Sequence, residues 1–144
     1  MQVSPMDQPR NLSQSAEKSP TLRVLVVDGE ALIRWSVSEV MSDEGCEVVE
    51  AKDGKAAVQI VSGSPVPFDV VLLDFRLPDS NDLTLLSTLR RLAPSTQVIL
   101  MTAFGTPEVA KGAMDLGAFT VVSKPFELAE LATLVHQARN FRMH

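Results

Sequence analysis

From residue 22 onward, short apolar runs rich in β-branched residues alternate with longer stretches whose apolar residues recur at helical spacing. This alternation is typical of consecutive strand–helix units, in which parallel strands form a sheet and the connecting helices cover it. Such crossovers are right-handed, which limits how the helices can pack on the sheet. The sequence therefore predicts an α/β fold, a three-layer doubly wound domain with a five-stranded parallel sheet.

Turn and capping residues give the limits of these elements. Gly45 is expected to end the first helix, Asp53 to cap the second, and Thr106 with Pro107 to begin the fourth. The predicted strands are 22–28, 46–50, 69–74, 97–102 and 118–122, and the predicted helices are 31–44, 54–62, 82–92, 107–117 and 127–140. The pattern alone does not fix the order of the strands in the sheet.

Four polar side chains stand at or just after the ends of predicted strands. They belong to Asp28, Asp74, Thr102 and Lys124. Because the carboxyl ends of parallel strands meet at one edge of the sheet, where ligands bind, we expect two carboxylates, a hydroxyl and an ammonium to converge there. Mg2+ prefers oxygen ligands, and a carboxylate can attack a phosphoryl group. The set can therefore hold a divalent cation and a phosphoryl group.

Composition narrows the classes of function. The 144 residues are 45% hydrophobic and 22% charged, which suits one globular domain. The net charge of -5 argues against direct binding of nucleic acid or of an anionic membrane surface. No stretch reads as a membrane span or a secretory signal, and the single Cys46 excludes an internal disulfide, so a cytoplasmic location is expected.

Residues 1–20 are polar and are expected to form a flexible tail before a domain at 21–141.

The motifs "VLVVD", "LLDFRLPDSNDL", "MTA" and "KPF" resemble those of the receiver domain of two-component response regulators. The resemblance covers roughly residues 22–140 and implies a flavodoxin-like fold with the strand order 2-1-3-4-5. It implies that Asp74 accepts a phosphoryl group and that Thr102 and Lys124 bind the phosphoryl oxygens. It also implies a cis peptide bond between Lys124 and Pro125.

The Mg2+ site that the resemblance implies consists of Asp28, Asp74 and the backbone carbonyl of Arg76. The family usually carries two adjacent acids after the first strand, whereas here Gly29 follows Asp28. The loss of one acidic ligand is expected to weaken Mg2+ binding, although a glycine also suits a tight turn at this point. Glu30 comes next and either compensates through a water molecule or serves as an acid at the start of the helix.

Other positions are expected to modulate the site. In receivers, the positions of Arg76 and Phe104 flank the path of the water that hydrolyses the aspartyl phosphate. We hypothesise that Phe104 and the aliphatic part of Arg76 shield the phosphoryl group here and slow its hydrolysis. Val121 occupies the position of the family's aromatic switch residue, and the chain contains no tyrosine. Signalling is therefore expected to depend on the loop after Thr102 and the helix that starts near Thr106.

The resemblance implies a role in signalling. The expected phosphodonor is a histidine kinase or a histidine phosphotransfer protein, and the expected output is a downstream protein or an output domain of a longer regulator. Homodimers occur in the family. Such a protein is not a conventional enzyme, although it can catalyse its own phosphorylation and dephosphorylation. The segment "IRW" at residues 33–35 is similar to receivers of the nitrogen-regulation type.

Three other functions stay open on the sequence. Gly29 is compatible with a receiver fold that binds partners without phosphorylation, because it weakens the metal site. "VVDGE" also fits a haloacid-dehalogenase-like phosphatase with Asp28 as its nucleophile, but this leaves Asp74 unexplained. A flavin-binding domain shares the fold, but its first loop should offer hydroxyls and amides to a phosphate, whereas the loop "DGEA" is acidic.

Overall fold

Parallel strands form a five-stranded sheet in the computed structural model, which describes residues 21–103 and 105–142. The strands are β1 (Arg23–Val27), β2 (Glu47–Ala51), β3 (Val70–Asp74), β4 (Gln97–Thr102) and β5 (Thr120–Ser123). They lie in the order β2-β1-β3-β4-β5, and every neighbouring pair is parallel. The predicted fold class and the strand order implied by the resemblance are therefore confirmed.

Helices cover both faces of this sheet. They are α1 (Ala31–Asp43), α2 (Gly54–Gly63), α3 (Thr84–Leu92), α4 (Pro107–Asp115) and α5 (Leu128–Arg142). One buried cluster joins α1 and α5 to the sheet, and a second joins α2, α3 and α4 to the opposite face. Strand β3 is buried throughout, and its residues alternate between the two clusters because successive side chains of a strand point to opposite faces. The result is the three-layer arrangement.

The predicted and observed limits of the elements agree within two residues, and the shifts have local causes. The carboxylate of Asp82 accepts a hydrogen bond from the N–H of Thr84 at 2.9 Å, so Asp82 belongs to the turn before α3. After α4, Gly117 has a φ of 98°, and the N–H of Ala118 donates back to the last turn of that helix. Ala118 therefore closes α4, and β5 begins only at Thr120.

Thr106 caps α4 as the sequence predicts, and its removal should be measurable. Its hydroxyl oxygen accepts a hydrogen bond from the N–H of Val109 at 3.2 Å, and Pro107 follows at the first helical position. We expect Thr106→Ala to lower the free energy of unfolding by about 1 kcal/mol in urea denaturation, because one donor of the first turn loses its partner. The control is Thr133→Ala on the exposed face of α5, which should change stability by less than about 0.5 kcal/mol. Equal losses in both variants would contradict the assignment.

Two further predictions concern the ends of the chain and membranes. Within residues 21–103 and 105–142, no helix is long and apolar enough to cross a bilayer. The predicted flexible tail, residues 1–20, lies outside the described residues, so the domain limits of 21 and 141 stay a prediction.

Candidate functional site

The carboxyl edge of the sheet gathers the four polar residues that stand at predicted strand ends. Asp74 and Thr102 are the last residues of β3 and β4, Asp28 follows β1, and Lys124 follows β5. Asp28, Asp74 and Thr102 are buried. Strands β1 and β3 are neighbours, but the helices that follow them lie on opposite faces of the sheet. This places Asp28 and Asp74 at the point where the strand order reverses, which is where ligands bind in such sheets.

Lys124 connects the acidic residues of this edge. Its Nζ lies 2.9 Å from Asp28 Oδ2, 3.3 Å from Asp74 Oδ1 and 3.9 Å from Glu30 Oε1. The two aspartates are almost completely buried, whereas the Glu30 side chain is 70% exposed. Two buried carboxylates at close range repel each other unless a positive charge lies between them. The ammonium of Lys124 therefore stabilises the arrangement.

Backbone groups fix the directions of the two aspartates. The N–H of Glu30 donates to Asp28 Oδ1 at 2.8 Å, and the N–H of Arg76 donates a longer hydrogen bond of 3.4 Å to Asp74 Oδ1. The N–H of Lys124 donates to the carbonyl of Thr102 at 2.9 Å, which ties the loop after β5 to the end of β4. The charged side chains are thus held by the backbone of three loops.

Burial and neighbouring charges change the protonation of this centre. Burial and, after it, the negative charge of Asp28 raise the pKa of Asp74, the ammonium of Lys124 and the N–H of Arg76 lower it, and the net result is a pKa of about 6. For Lys124, burial lowers the pKa, but the hydrogen bond to Asp28 and the charge of Asp74 outweigh it, so its pKa lies above the usual value. At neutral pH, Lys124 is therefore charged, and Asp74 is mostly a carboxylate.

A cavity of about 240 Å³ opens over this centre. Its lining residues are Gly29, Glu30, Asp74, Arg76, Ala103 and Lys124. Asp28 lies behind this lining and is fully buried. A nucleophilic carboxylate, an ammonium and a second carboxylate thus face one space that is open to small anions and cations.

The oxygen donors at this edge suit a hard cation. The carboxylates of Asp28 and Asp74 and the carbonyl of Arg76 are the ligand types that Mg2+ prefers, and Mg2+ usually keeps several waters besides. Within the described part of the chain, no group of three or more His, Cys, Asp or Glu side chains stands in a metal-holding arrangement. The donor set fits a site of two carboxylates and a carbonyl, with water molecules as the remaining ligands.

Gly29 is not required by the conformation of its loop. Positive φ angles occur at Gly45 and Gly117 among the described glycines, but not at Gly29. A Cβ atom at Gly29 would lie 3.2 Å from Cδ of Pro78, so the proline ring would have to shift by a few tenths of an ångström. The backbone conformation at position 29 is therefore open to other residues, and the tight-turn explanation for the glycine is not supported.

The remaining predicted residues lie around this centre. The peptide bond between Lys124 and Pro125 is cis, as the resemblance implies. Thr102 is buried at the end of β4, next to Ser123 of β5, and is not among the residues that line the cavity. Val121 packs against the cluster under α2, α3 and α4. Phe104 lies outside the described residues, so its shielding role stays a prediction.

Sequence reasoning missed two contacts that support the site. Arg34 of α1 donates from Nη1 to the carbonyl of Asp28 at 2.8 Å, and its Nε lies 3.1 Å from Oε1 of Glu50 on β2. Asp79, in the loop after β3, accepts hydrogen bonds from the N–H groups of Gly54 and Lys55 at the start of α2. Glu50 is 16 residues from Arg34 and Asp79 is 25 residues from Gly54, so no local pattern signals these pairs. The contact of Arg34 with Asp28 spans only six residues, but it depends on how α1 lies on the sheet.

Comparisons with known proteins agree with this architecture. The family model described as "Response regulator receiver domain" matches residues 24–136. The chain is 37% identical to Regulatory protein AtoC of Escherichia coli over 116 residues, which covers 81% of this chain but 25% of AtoC. It is 32% identical to Sporulation initiation phosphotransferase F of Bacillus subtilis over 113 residues, which covers 78% of this chain and 90% of that protein. The chain therefore spans a quarter of the length of one relative and most of the other.

A solved structure gives the same fold. The CheY-like response regulator receiver domain protein from Methanospirillum hungatei superposes with a TM-score of 0.81 at 23% identity, covering 86% of this chain and 98% of that one. Receiver domains of this kind belong to two-component signalling systems. With a family model that matches most of its length, the same strand order and acidic residues with a lysine at the carboxyl edge, the chain belongs to the response regulator receiver family.

Proposed function

We propose that this chain accepts a phosphoryl group on Asp74 from a phosphohistidine of a kinase or phosphotransfer protein, and that Mg2+ assists the transfer. The single observation that carries the proposal is the contact of Lys124 with both Asp28 and Asp74 beside an open cavity. Of these two aspartates, Asp74 faces the cavity, whereas Asp28 lies behind the lining. The same difference argues against a phosphatase that uses Asp28 as its nucleophile.

In the proposed step, a carboxylate oxygen of Asp74 attacks the phosphorus atom of the phosphohistidine. The new bond is P–O, the P–N bond to the imidazole breaks, and the imidazole leaves with the electron pair. The attacking group must be ionised, and the pKa of about 6 allows this at neutral pH. Lys124 is close enough to Asp74 to pair with the oxygens of the incoming phosphoryl group. Thr102 is the proposed hydroxyl donor on the neighbouring strand.

Asp28, Asp74 and the backbone carbonyl of Arg76 would hold the Mg2+ ion. When bound, the ion neutralises negative charge on the phosphoryl group. The residues themselves fix the position of the acceptor, since Asp74 receives hydrogen bonds from Lys124 and from the N–H of Arg76. Positioning and charge neutralisation are the main requirements of phosphoryl transfer, and these residues would supply both.

Incubation with acetyl phosphate and Mg2+, followed by intact-mass measurement, tests the proposal. We expect one phosphoryl adduct on the wild-type chain, none on Asp74→Asn, and an unchanged adduct on Asp43→Asn at the exposed end of α1. EDTA should abolish the adduct. An adduct that persists in Asp74→Asn would contradict the assignment of the acceptor.

A second candidate is a receiver that binds partners without phosphorylation. The observation that favours it is the pairing of Lys124 with both aspartates, which balances much of their charge, together with Gly29, which adds no acid. If the chain gives no adduct under conditions that label an ordinary receiver, this second function replaces the first.

The proposed partners follow from the same reading. A histidine kinase or phosphotransfer protein would deliver the phosphoryl group, and the output would come from a separate effector or from an output domain in a longer regulator. On α1, the side chains of Leu32 and Trp35 are 73% and 58% exposed and offer apolar area to a protein partner. Dimerisation, the nitrogen-regulation subtype and a cytoplasmic location stay predictions.

A further inference from the structure

The cavity over the charged centre does not expose its carboxylates equally. Asp28 is fully buried, and both of its oxygens are engaged, Oδ1 by the N–H of Glu30 at 2.8 Å and Oδ2 by Nζ of Lys124 at 2.9 Å. The acidic side chains that line the cavity are Asp74 and Glu30. A hydrated cation that enters from solvent therefore meets Glu30 before it meets Asp28.

The carboxylate of Glu30 points toward the charged centre. Its Oε1 lies 3.9 Å from Nζ of Lys124, at the mouth of the cavity. Glu30 is also the N-cap residue of α1, but its side chain makes no capping hydrogen bond with that helix. The Glu30 side chain therefore does not cap α1 through a hydrogen bond, and its carboxylate is available to the cavity.

The charges of the site favour a further acid when a divalent cation is bound in the absence of a phosphoryl group. Asp28 and Asp74 carry two negative charges, whereas Lys124 and a divalent cation together carry three positive ones. Gly29 lines the cavity without contributing a side chain. Glu30 supplies a third negative charge at the mouth of the cavity, which Arg76 also lines. Because Mg2+ keeps several waters, a carboxylate at the mouth of the cavity can hold it through one of them.

We propose that Glu30 is the further acid of the cation site in this chain and that it binds the hydrated Mg2+ through a water molecule, in place of the side chain that Gly29 lacks. This inference rests on the Mg2+ binding included in the proposed function. It concerns the metal alone, so it can be tested without any phosphorylation.

The experiment is a titration with MgCl2 followed by amide NMR shifts, which gives the dissociation constant of a weak site. We expect Glu30→Gln to weaken Mg2+ binding about tenfold, the size of effect seen when groups around a metal's direct ligands are removed. The matched control is Glu39→Gln, an exposed residue on the same helix, which should change the constant by less than about twofold. In a Gly29→Asp background, the effect of Glu30→Gln should fall below about threefold, because a closer acid then takes its part.

Repeating the titrations in 0.1 M and 0.5 M KCl separates a ligand from a remote charge. At the higher salt concentration the screening length is about 4 Å, so a purely long-range effect of Glu30 would disappear, whereas a water-mediated contact would keep most of its effect. An unchanged constant in Glu30→Gln, a difference lost at high salt, or no Mg2+ binding by the wild-type chain would each overturn the inference. An absent phosphoryl adduct alongside a clear Glu30 effect would overturn the proposed phosphorylation and leave the inference standing.

Discussion

Lys124→Met is expected to lower the free energy of unfolding by about 3 kcal/mol at pH 7.5 in EDTA, the scale seen when one partner of a buried ion pair is removed. Lys124 is the cation that contacts both Asp28 and Asp74, which are almost completely buried. Without it, two like charges stay close together in a medium that solvates them poorly. Urea denaturation monitored by circular dichroism measures the effect.

Two further variants sharpen this test. Lys111→Met removes the exposed i,i+4 ion pair with Asp115, and we expect a change of less than about 0.5 kcal/mol. The double variant Lys124→Met/Asp74→Asn should recover part of the lost stability, because only one buried carboxylate then lacks its cation. If Lys124→Met is as stable as Lys111→Met, the ammonium does not stabilise the site.

Asp74→Asn is expected to raise the free energy of unfolding by about 2 kcal/mol at pH 7.5 in EDTA. The pKa of Asp74 is raised from its ordinary value to about 6, mainly because the group is buried. Ionising it in the folded protein therefore costs free energy that an uncharged amide of the same shape does not, and one pKa unit corresponds to about 1.4 kcal/mol. Thermal or urea unfolding of the two proteins in parallel measures the difference.

The pH dependence of that difference has a definite sign. Between about pH 4 and pH 6, folded Asp74 holds a proton that the unfolded chain has already released, so the wild-type chain loses stability as the pH rises through this range. The advantage of Asp74→Asn should accordingly be full above about pH 6 and absent near pH 4. A constant advantage across this range would show that the substitution acts through packing and not through charge.

The sequence predicts the fold well because local and global signals agree. The run "VVLLD" has the continuous apolar character of a strand buried on both faces, and β3 is buried throughout. Thr106 and Pro107 mark the start of α4 correctly. The limit of a helix is harder to predict where a side chain binds the backbone of a turn, as Asp82 does before α3, because the same acid can also stand inside a helix.

The site could be predicted only in part. Strand ends place Asp28, Asp74 and Lys124 on one edge, and in the structure Nζ of Lys124 lies 2.9 Å from Asp28 Oδ2 and 3.3 Å from Asp74 Oδ1. The sequence could not show that Asp28 is hidden while Asp74 faces the cavity, since that depends on how the loops fold over the edge. Nor could it show that Arg34 reaches the carbonyl of Asp28, because this contact depends on the register of α1 against the sheet.

The strand order has a mechanical consequence for the charged centre. The chain continues from Asp28 into α1 and from Lys124 into α5 on one face of the sheet, but from Asp74 into α3 on the opposite face. Any ligand that changes the spacing of these three side chains therefore acts on the helices of both layers at once. Suppose that a partner protein binds either helical layer and favours one spacing. By thermodynamic reciprocity, the factor by which this partner changes the affinity of the centre for the ligand equals the factor by which the ligand changes the affinity for the partner.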